Sequence, residues 1–184
     1  MKVYCPRCGQ EQISAEVRFC SRCGFLMTGV AELIAKGGAL PNVFIRRIRE
    51  FGYSGAIYPI HPGAPSIDGL TAYKSLAETP EPVDYAYIAI AAAQIPPLLS
   101  SAQGRLRFAQ VISSGFGEVE EGRALQDDLA RAAREGGARL IGPNCLGIYT
   151  PRGRVTFAEV GPTDVGTGGI GSQSGGLGTD IIRR

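Results

Sequence analysis

Val83-Asp84-Tyr85-Ala86-Tyr87-Ile88-Ala89-Ile90 is apolar almost throughout, as a strand buried on both faces of a parallel sheet should be. Working outward, Ile95 to Ala102 reads as a helix after its two prolines, and Phe108 to Ile112 as the next strand. Glu120 to Glu135 is the strongest helical segment, with Leu125, Leu129, Ala132 and Ala133 on one face, and Gly136-Gly137 ends it. Ala138 to Ile141 makes a further strand. Upstream, Pro41 to Phe51 places Phe44, Ile45, Ile48 and Phe51 on one helical face, with Gly52 as its stop. Ala56 to Ile60 reads as a short strand and Tyr73 to Glu78 as a short helix. Strands alternating with helices at this spacing specify an α/β fold, a doubly wound parallel sheet with right-handed crossovers.

The ends of this alternation carry the remaining chemistry. Four of the five cysteines lie in Cys5-Pro6-Arg7-Cys8-Gly9 and Cys20-Ser21-Arg22-Cys23-Gly24. A two-residue spacing lets both thiolates of a tight turn face one ion, and two such knuckles form a closed tetrahedral set. The pattern specifies a structural zinc ribbon over residues 1–28. Two disulfides in an oxidising compartment, or a rubredoxin-like iron, are the competing assignments. A site with four thiolates has no open position and carries no catalysis. Some twenty residues bury too little to fold unaided, so the metal would supply most of the folding free energy of this module.

The glycines are unevenly placed. Of 26 in 184 residues, eight fall between Gly161 and Gly178. Residues 161–184 are expected to form a linker and the start of a second, flavodoxin-like domain, with 29–160 as the main domain. A formal charge of +2 is not the basic excess that duplex binding usually requires. The cluster Arg46, Arg47 and Arg49 fits the solvated face of a helix. No apolar run reaches the roughly 18 residues of a membrane span, and no signal-peptide core is present. A cytoplasmic protein is the expectation, with its cysteines kept as thiols or bound to metal.

In doubly wound sheets ligands sit at the carboxyl ends of the strands. Those positions hold His61-Pro62-Gly63, Ser113-Ser114-Gly115-Phe116-Gly117 and Gly142-Pro143-Asn144-Cys145-Leu146-Gly147. Together with Tyr53 to Pro62, Pro80 to Asp84 and Ile170-Gly171-Ser172-Gln173-Ser174-Gly175-Gly176-Leu177-Gly178, these stretches resemble the Rossmann-like CoA-binding domain of NDP-forming acyl-CoA synthetases. Those enzymes are relatives of the succinyl-CoA ligase α subunit. The resemblance runs from about Gly38 to Arg184.

The resemblance implies a ligand and a reaction. Such domains bind coenzyme A, and the full enzymes interconvert acyl-CoA, NDP and phosphate with free acid, CoA and NTP through a phosphohistidine. Ser113, Ser114, Gly115, Phe116 and Glu118 match the loop lining the pantetheine and acyl end, and Asn144 and Cys145 match the turn near the thioester. His61 and Pro62 match the turn by the adenosine. Gly37 and Gly38 match the glycines of the first, phosphate-cradling βα turn, although Glu32 falls where the family has a buried strand. Ser172, Ser174 and Gly175 match a phosphate loop at a helix N-terminus, where unpaired N–H groups and the helix dipole favour an anion. The family's phosphorylated histidine belongs to its second domain, so His61, the only histidine, is expected to be a loop residue. Cys145 has no nearby base in the sequence and is expected to be structural or ligand-contacting.

On this resemblance the chain would not complete acyl-CoA synthesis alone, and an ATP-grasp subunit or a chain supplying the missing domain is the expected partner. The alternative is a non-catalytic regulatory or scaffolding protein whose ribbon docks protein or nucleic acid. NAD binding is disfavoured because Gly-x-Gly-x-x-Gly is missing.

Overall fold

The structure, a computed structural model, describes residues 3–4, 11–12, 40–159 and 161–183. Cys5, Cys8, Cys20, Cys23, Gly37 and Gly38 lie outside the described residues. Near the N-terminus, β1 (Val3–Tyr4) pairs antiparallel with β2 (Glu11–Gln12), in the register Val3 opposite Gln12 and Tyr4 opposite Glu11.

The main body follows α1 (Leu40–Glu50), the hairpin β3 (Ser66–Ile67) and β4 (Leu70–Thr71), β5 (Val83–Ile88), α2 (Ile95–Ser100), β6 (Leu106–Val111), α3 (Arg123–Glu135) and β7 (Arg139–Ile141). A second hairpin, β8 (Tyr149–Thr150) and β9 (Val155–Thr156), precedes α4 (Gly175–Arg183). The parallel sheet has the order β5-β6-β7, with Tyr85 opposite Phe108, Ile88 opposite Val111 and Ala109 opposite Leu140. The α/β class and the parallel sheet are as the apolar runs specify.

Side chains alternate across a pleated strand, which sorts β5 and β6 into two faces. Ala86, Ile88, Ala109 and Val111 join Ile95 and Leu99 of α2 and Leu129, Ala132 and Ala133 of α3 in one core. Tyr85 and Tyr87 point the other way, where Phe44 of α1 stacks on Tyr87 at 4.2 Å between ring centroids. Two crossover helices therefore cover one face and α1 the other. Gly136 sits where α3 meets α2: a Cβ added there would lie 1.9 Å from the carbonyl oxygen of Leu99. Only glycine lets the two backbones approach so closely.

Three local expectations need correcting. Ala56 to Ile60 forms no strand; Ile60 makes an isolated parallel bridge to Tyr73. Pro59 has no N–H to give a ladder, and its carbonyl accepts from Tyr73 N–H, while His61 N–H donates to Tyr73 O. Tyr73 to Glu78 is not a helix, because Tyr73 is held in that bridge. Only Leu76–Glu78 coils, as one 3₁₀ turn. Thr79 before Pro80 then ends it, its hydroxyl donating to Leu76 O at 2.8 Å. The helix from Glu120 opens with a 3₁₀ turn, Glu120–Gly122, and becomes α-helical only at Arg123.

Candidate functional site

At the carboxyl ends of β6 and β7, two loops are tied together. Asn144 N–H donates to Ser113 O at 3.0 Å, and Cys145 N–H donates to Val111 O at 3.2 Å. The turn Gly142–Gly147 opens with φ +96 at Gly142 and contains Asn144 in the left-handed region at φ +51. Ser113 donates its hydroxyl to Ile90 O, linking the ends of β5 and β6. Ser114, Gly115 and Asn144 are exposed at these strand ends. The structure thus brings together Ser113, Ser114, Gly115, Glu118, Asn144 and Cys145, as the two motifs require.

Glu118 does not face outward as a free carboxylate. Its two oxygens accept from Gly115 N–H and Phe116 N–H, the latter at 3.1 Å. Burial works against the charge, but the N–H groups of Gly115, Glu118 and Phe116 outweigh it and hold the carboxyl below its ordinary pKa. The loop closes on its own carboxylate, which stays ionised. A depressed carboxyl pKa favours the folded loop above the unfolded value of about 4.3, and that contribution disappears as pH falls through the lower folded value. The Gly115 and Phe116 amide resonances are therefore expected to titrate together, with a midpoint below that of free glutamate. A midpoint above that of free glutamate would contradict this capping.

Phe116 departs from its expected role. Its ring is fully buried in the core beneath the loop, so only its backbone is at the site.

His61 and Pro62 lie on a separate loop. No hydrogen bond among the described residues joins them to Ser113–Glu118 or Gly142–Gly147. The Nδ1 atom of His61 accepts from Gly63 N–H at 3.1 Å and Ala64 N–H at 2.8 Å, so the ring caps its own turn. An asparagine oxygen would fill the same acceptor position.

The Ser172–Gly175 segment meets the signature turn. Ser174 caps α4, its Oγ accepting from Leu177 N–H at 3.4 Å, and Ser172 Oγ donates to Ser174 O at 2.8 Å. A Cβ at Gly175 would come 2.3 Å from Leu146 Cδ1, so the start of α4 rests on the middle of the turn. Between them opens a cleft of about 240 Å³, whose lining includes Leu40, Arg47, Tyr87, Ile112, Leu146 and Thr179. Arg47 donates to Phe157 O and pairs with Glu159 at 3.6 Å. Burial raises Tyr87 to a pKa of about 12, against an opposing pull from Arg47, so the phenol stays protonated at neutral pH.

Sequence reasoning missed Gln110. It is fully buried in β6, accepts from Tyr85 Oη at 2.7 Å and donates from Nε2 to Cys145 O at 2.6 Å. The available signal was a lone carboxamide in an apolar strand. Among the described residues, no group of three or more His, Cys, Asp or Glu side chains could hold a metal ion.

Comparison with known proteins decides the family, since the CoA binding domain model matches residues 39–151, more than half of the chain. The chain belongs to the CoA binding domain family. The match includes the loops at His61, Ser113 and Gly142 and stops before Ser172. Over 157 residues the chain is 40% identical to ADP-forming acetate–CoA ligase I subunit alpha of Pyrococcus furiosus, covering 80% of this chain and 34% of that one. It is 37% identical over 148 residues to a trans-feruloyl-CoA synthase of an unknown prokaryotic organism, covering 76% and 21%. Among solved structures, the dinucleotide-forming acetyl-coenzyme A synthetase 1 of Ca. Korarchaeum cryptofilum, in complex with phosphate and ADP, superposes with a TM-score of 0.66. That pair is 33% identical, with 78% of this chain and 31% of that one covered. The chain carries a CoA-binding domain homologous to the α subunit of ADP-forming acetyl-CoA synthetases, and this holds over the scaffold alternative. It spans about a third, or less, of the length of these relatives.

Proposed function

We propose that this CoA-binding domain holds coenzyme A or its acyl thioester across the carboxyl ends of the sheet, as one part of an NDP-forming acid–thiol ligase. The carrying observation is the contact between three motifs: the Ser113–Glu118 loop hydrogen-bonded to the Gly142–Gly147 turn, with the start of α4 seated on Leu146. Ser113, Ser114, Gly115, Glu118, Asn144 and Cys145 would border the pantetheine and thioester, with Phe116 contributing backbone alone. His61 and Pro62 would flank the adenosine, and Gly37 and Gly38 the CoA phosphates. Ser172, Ser174 and Gly175 would receive the phosphate. The acid is a carboxylic acid; the relatives' names range from acetate to ferulate. An ATP-grasp unit on a partner chain would bind the nucleotide, and this chain alone would not turn over.

Residues 161–184 fit a linker and the start of a further domain. Residues 1–28 fit a zinc ribbon: in sequence Cys5 and Cys8 lie between the paired strands β1 and β2, and Cys20 and Cys23 complete a four-thiolate donor set. Bound there, zinc would be structural, and the ribbon would dock a partner or cap the main domain. Thiolate ligation and the free thiol of Cys145 suit a reducing, cytoplasmic compartment. No helix among the described residues is long and apolar enough to cross a membrane.

Two measurements test these assignments. Titrating the isotope-labelled chain with CoA should shift the amides of residues 113–118 and 142–147. Shifts confined to the outer face of α3 would sink the placement. Elemental analysis of the purified protein should find about one zinc per chain, lost in a Cys20→Ser, Cys23→Ser variant, as a closed four-cysteine site requires. A metal-free wild-type chain, or bound iron, would refute the ribbon.

A further inference from the structure

We infer that Gln110 is a positioning residue for the coenzyme: it sets the Gly142–Gly147 turn in its binding geometry from beneath. This inference rests on the placement of CoA at that turn proposed above.

A carboxamide inside an apolar strand is costly unless its polar atoms are all paired, and packing alone would be served better by Leu or Val. Gln110 is fully buried. Its pairing is directional: Tyr85 Oη donates to its Oε1 at 2.7 Å, and its Nε2 donates to Cys145 O at 2.6 Å. The Cys145 carbonyl can only accept, so the donor end of the amide must face the turn, and Oε1 is left to accept from the Tyr85 hydroxyl. Tyr85 is itself held on the α1 side of the sheet, its ring 6.2 Å from that of Phe44. The far end of the turn is registered against the same side chain, since a Cβ at Gly147 would lie 3.1 Å from Gln110 Oε1.

The turn thus has two kinds of anchor. The backbone bonds Asn144–Ser113 and Cys145–Val111 fix where it sits. Gln110 fixes the orientation of the Cys145–Leu146 peptide, and through it the exposed faces of Asn144, Cys145 and Leu146. A carboxamide relayed from Tyr85 transmits the geometry of the α1 layer to the ligand side of the sheet.

The test is a double-mutant cycle read by CoA calorimetry, thermal melting and the amide shift of Leu146, using wild type, Gln110→Leu, Tyr85→Phe and the pair. Gln110→Leu is expected to weaken CoA at least tenfold while the protein still melts cooperatively, and to move the Leu146 amide. Tyr85→Phe leaves the turn's own contacts in place and is expected to weaken CoA about three- to fivefold. The double variant should be no weaker than Gln110→Leu alone, because both act through one side chain. Should Gln110→Leu not fold, Tyr85→Phe decides by itself: unchanged CoA affinity with an unmoved Leu146 amide overturns the inference. Wild-type binding that Gln110→Leu retains within twofold, whatever the melting point, also overturns it. A wild-type chain that binds no CoA would instead defeat the underlying placement.

Discussion

Phe116→Ala is expected to remove about 3–5 kcal/mol of folding stability, which for a domain of this size lowers Tm by roughly 6–20 °C. The ring has no exposure and packs in the core with Leu129, Ala132 and Ile95, so truncation leaves a cavity that rigid helices close only in part. The backbone around it is equally committed. Phe116 O accepts from Val119 N–H at 3.0 Å, and a Cβ at Gly122 would stand only 2.0 Å from that oxygen. The loop that carries Ser113 to Glu118 is pinned to the core by this one side chain. Phe116→Leu, which keeps most of the volume, should lose far less, under about 2 kcal/mol. Urea unfolding of both variants checks the ranking. An Ala variant of wild-type stability with a selective loss of coenzyme affinity would restore the ring to the ligand.

Gly142→Ala is expected to cost about 2–4 kcal/mol and to abolish tight CoA binding, because strain and overpacking add at one position. Its φ of +96 lies where an L side chain is strained, and the new Cβ would fall 2.5 Å from Val111 O and 3.1 Å from Cys145 Cβ. Val111 O is the acceptor for Cys145 N–H, so relieving the clash breaks the bond that seats the turn. Gly166→Ala is the control: it lies outside the three motifs, nothing lies within 4 Å of its added Cβ, and its stability should stay within about 0.5 kcal/mol of wild type. If Gly142→Ala bound CoA as wild type does, the turn would not be part of the coenzyme site.

The strands and helices of the main sheet were legible because each carries its own pattern. Val83–Ile88 is apolar on both faces, and the stripe through Leu129, Ala132 and Ala133 runs into Gly136-Gly137 at the helix end. Ala56 to Ile60 misled because a β-like composition does not reveal whether a partner strand is hydrogen-bonded to it. The Ser66–Thr71 hairpin was missed, because its strands are only two residues long; its turn is Asp68-Gly69, with φ of +48 and +77. At the site, the glycine-bearing turns were visible as composition. The tertiary choices were not: which side of the Ser113–Glu118 loop Phe116 faces depends on Ile95, Leu129 and Ala132 in two helices, and which carbonyl Gln110 reaches depends on Cys145, 35 positions away. The resemblance set Glu118 in the loop lining the acyl end, and only the geometry shows its oxygens accepting from its neighbours' N–H groups.

The most direct measurement is calorimetry of the purified chain with CoA and with acetyl-CoA at two temperatures, NAD serving as the control nucleotide. The account predicts saturable binding of one CoA per chain, competition between the two CoA species, and none with NAD. The same binding should be lost in Gly142→Ala and kept in Gly166→Ala. No heat with either CoA species at both temperatures would contradict it.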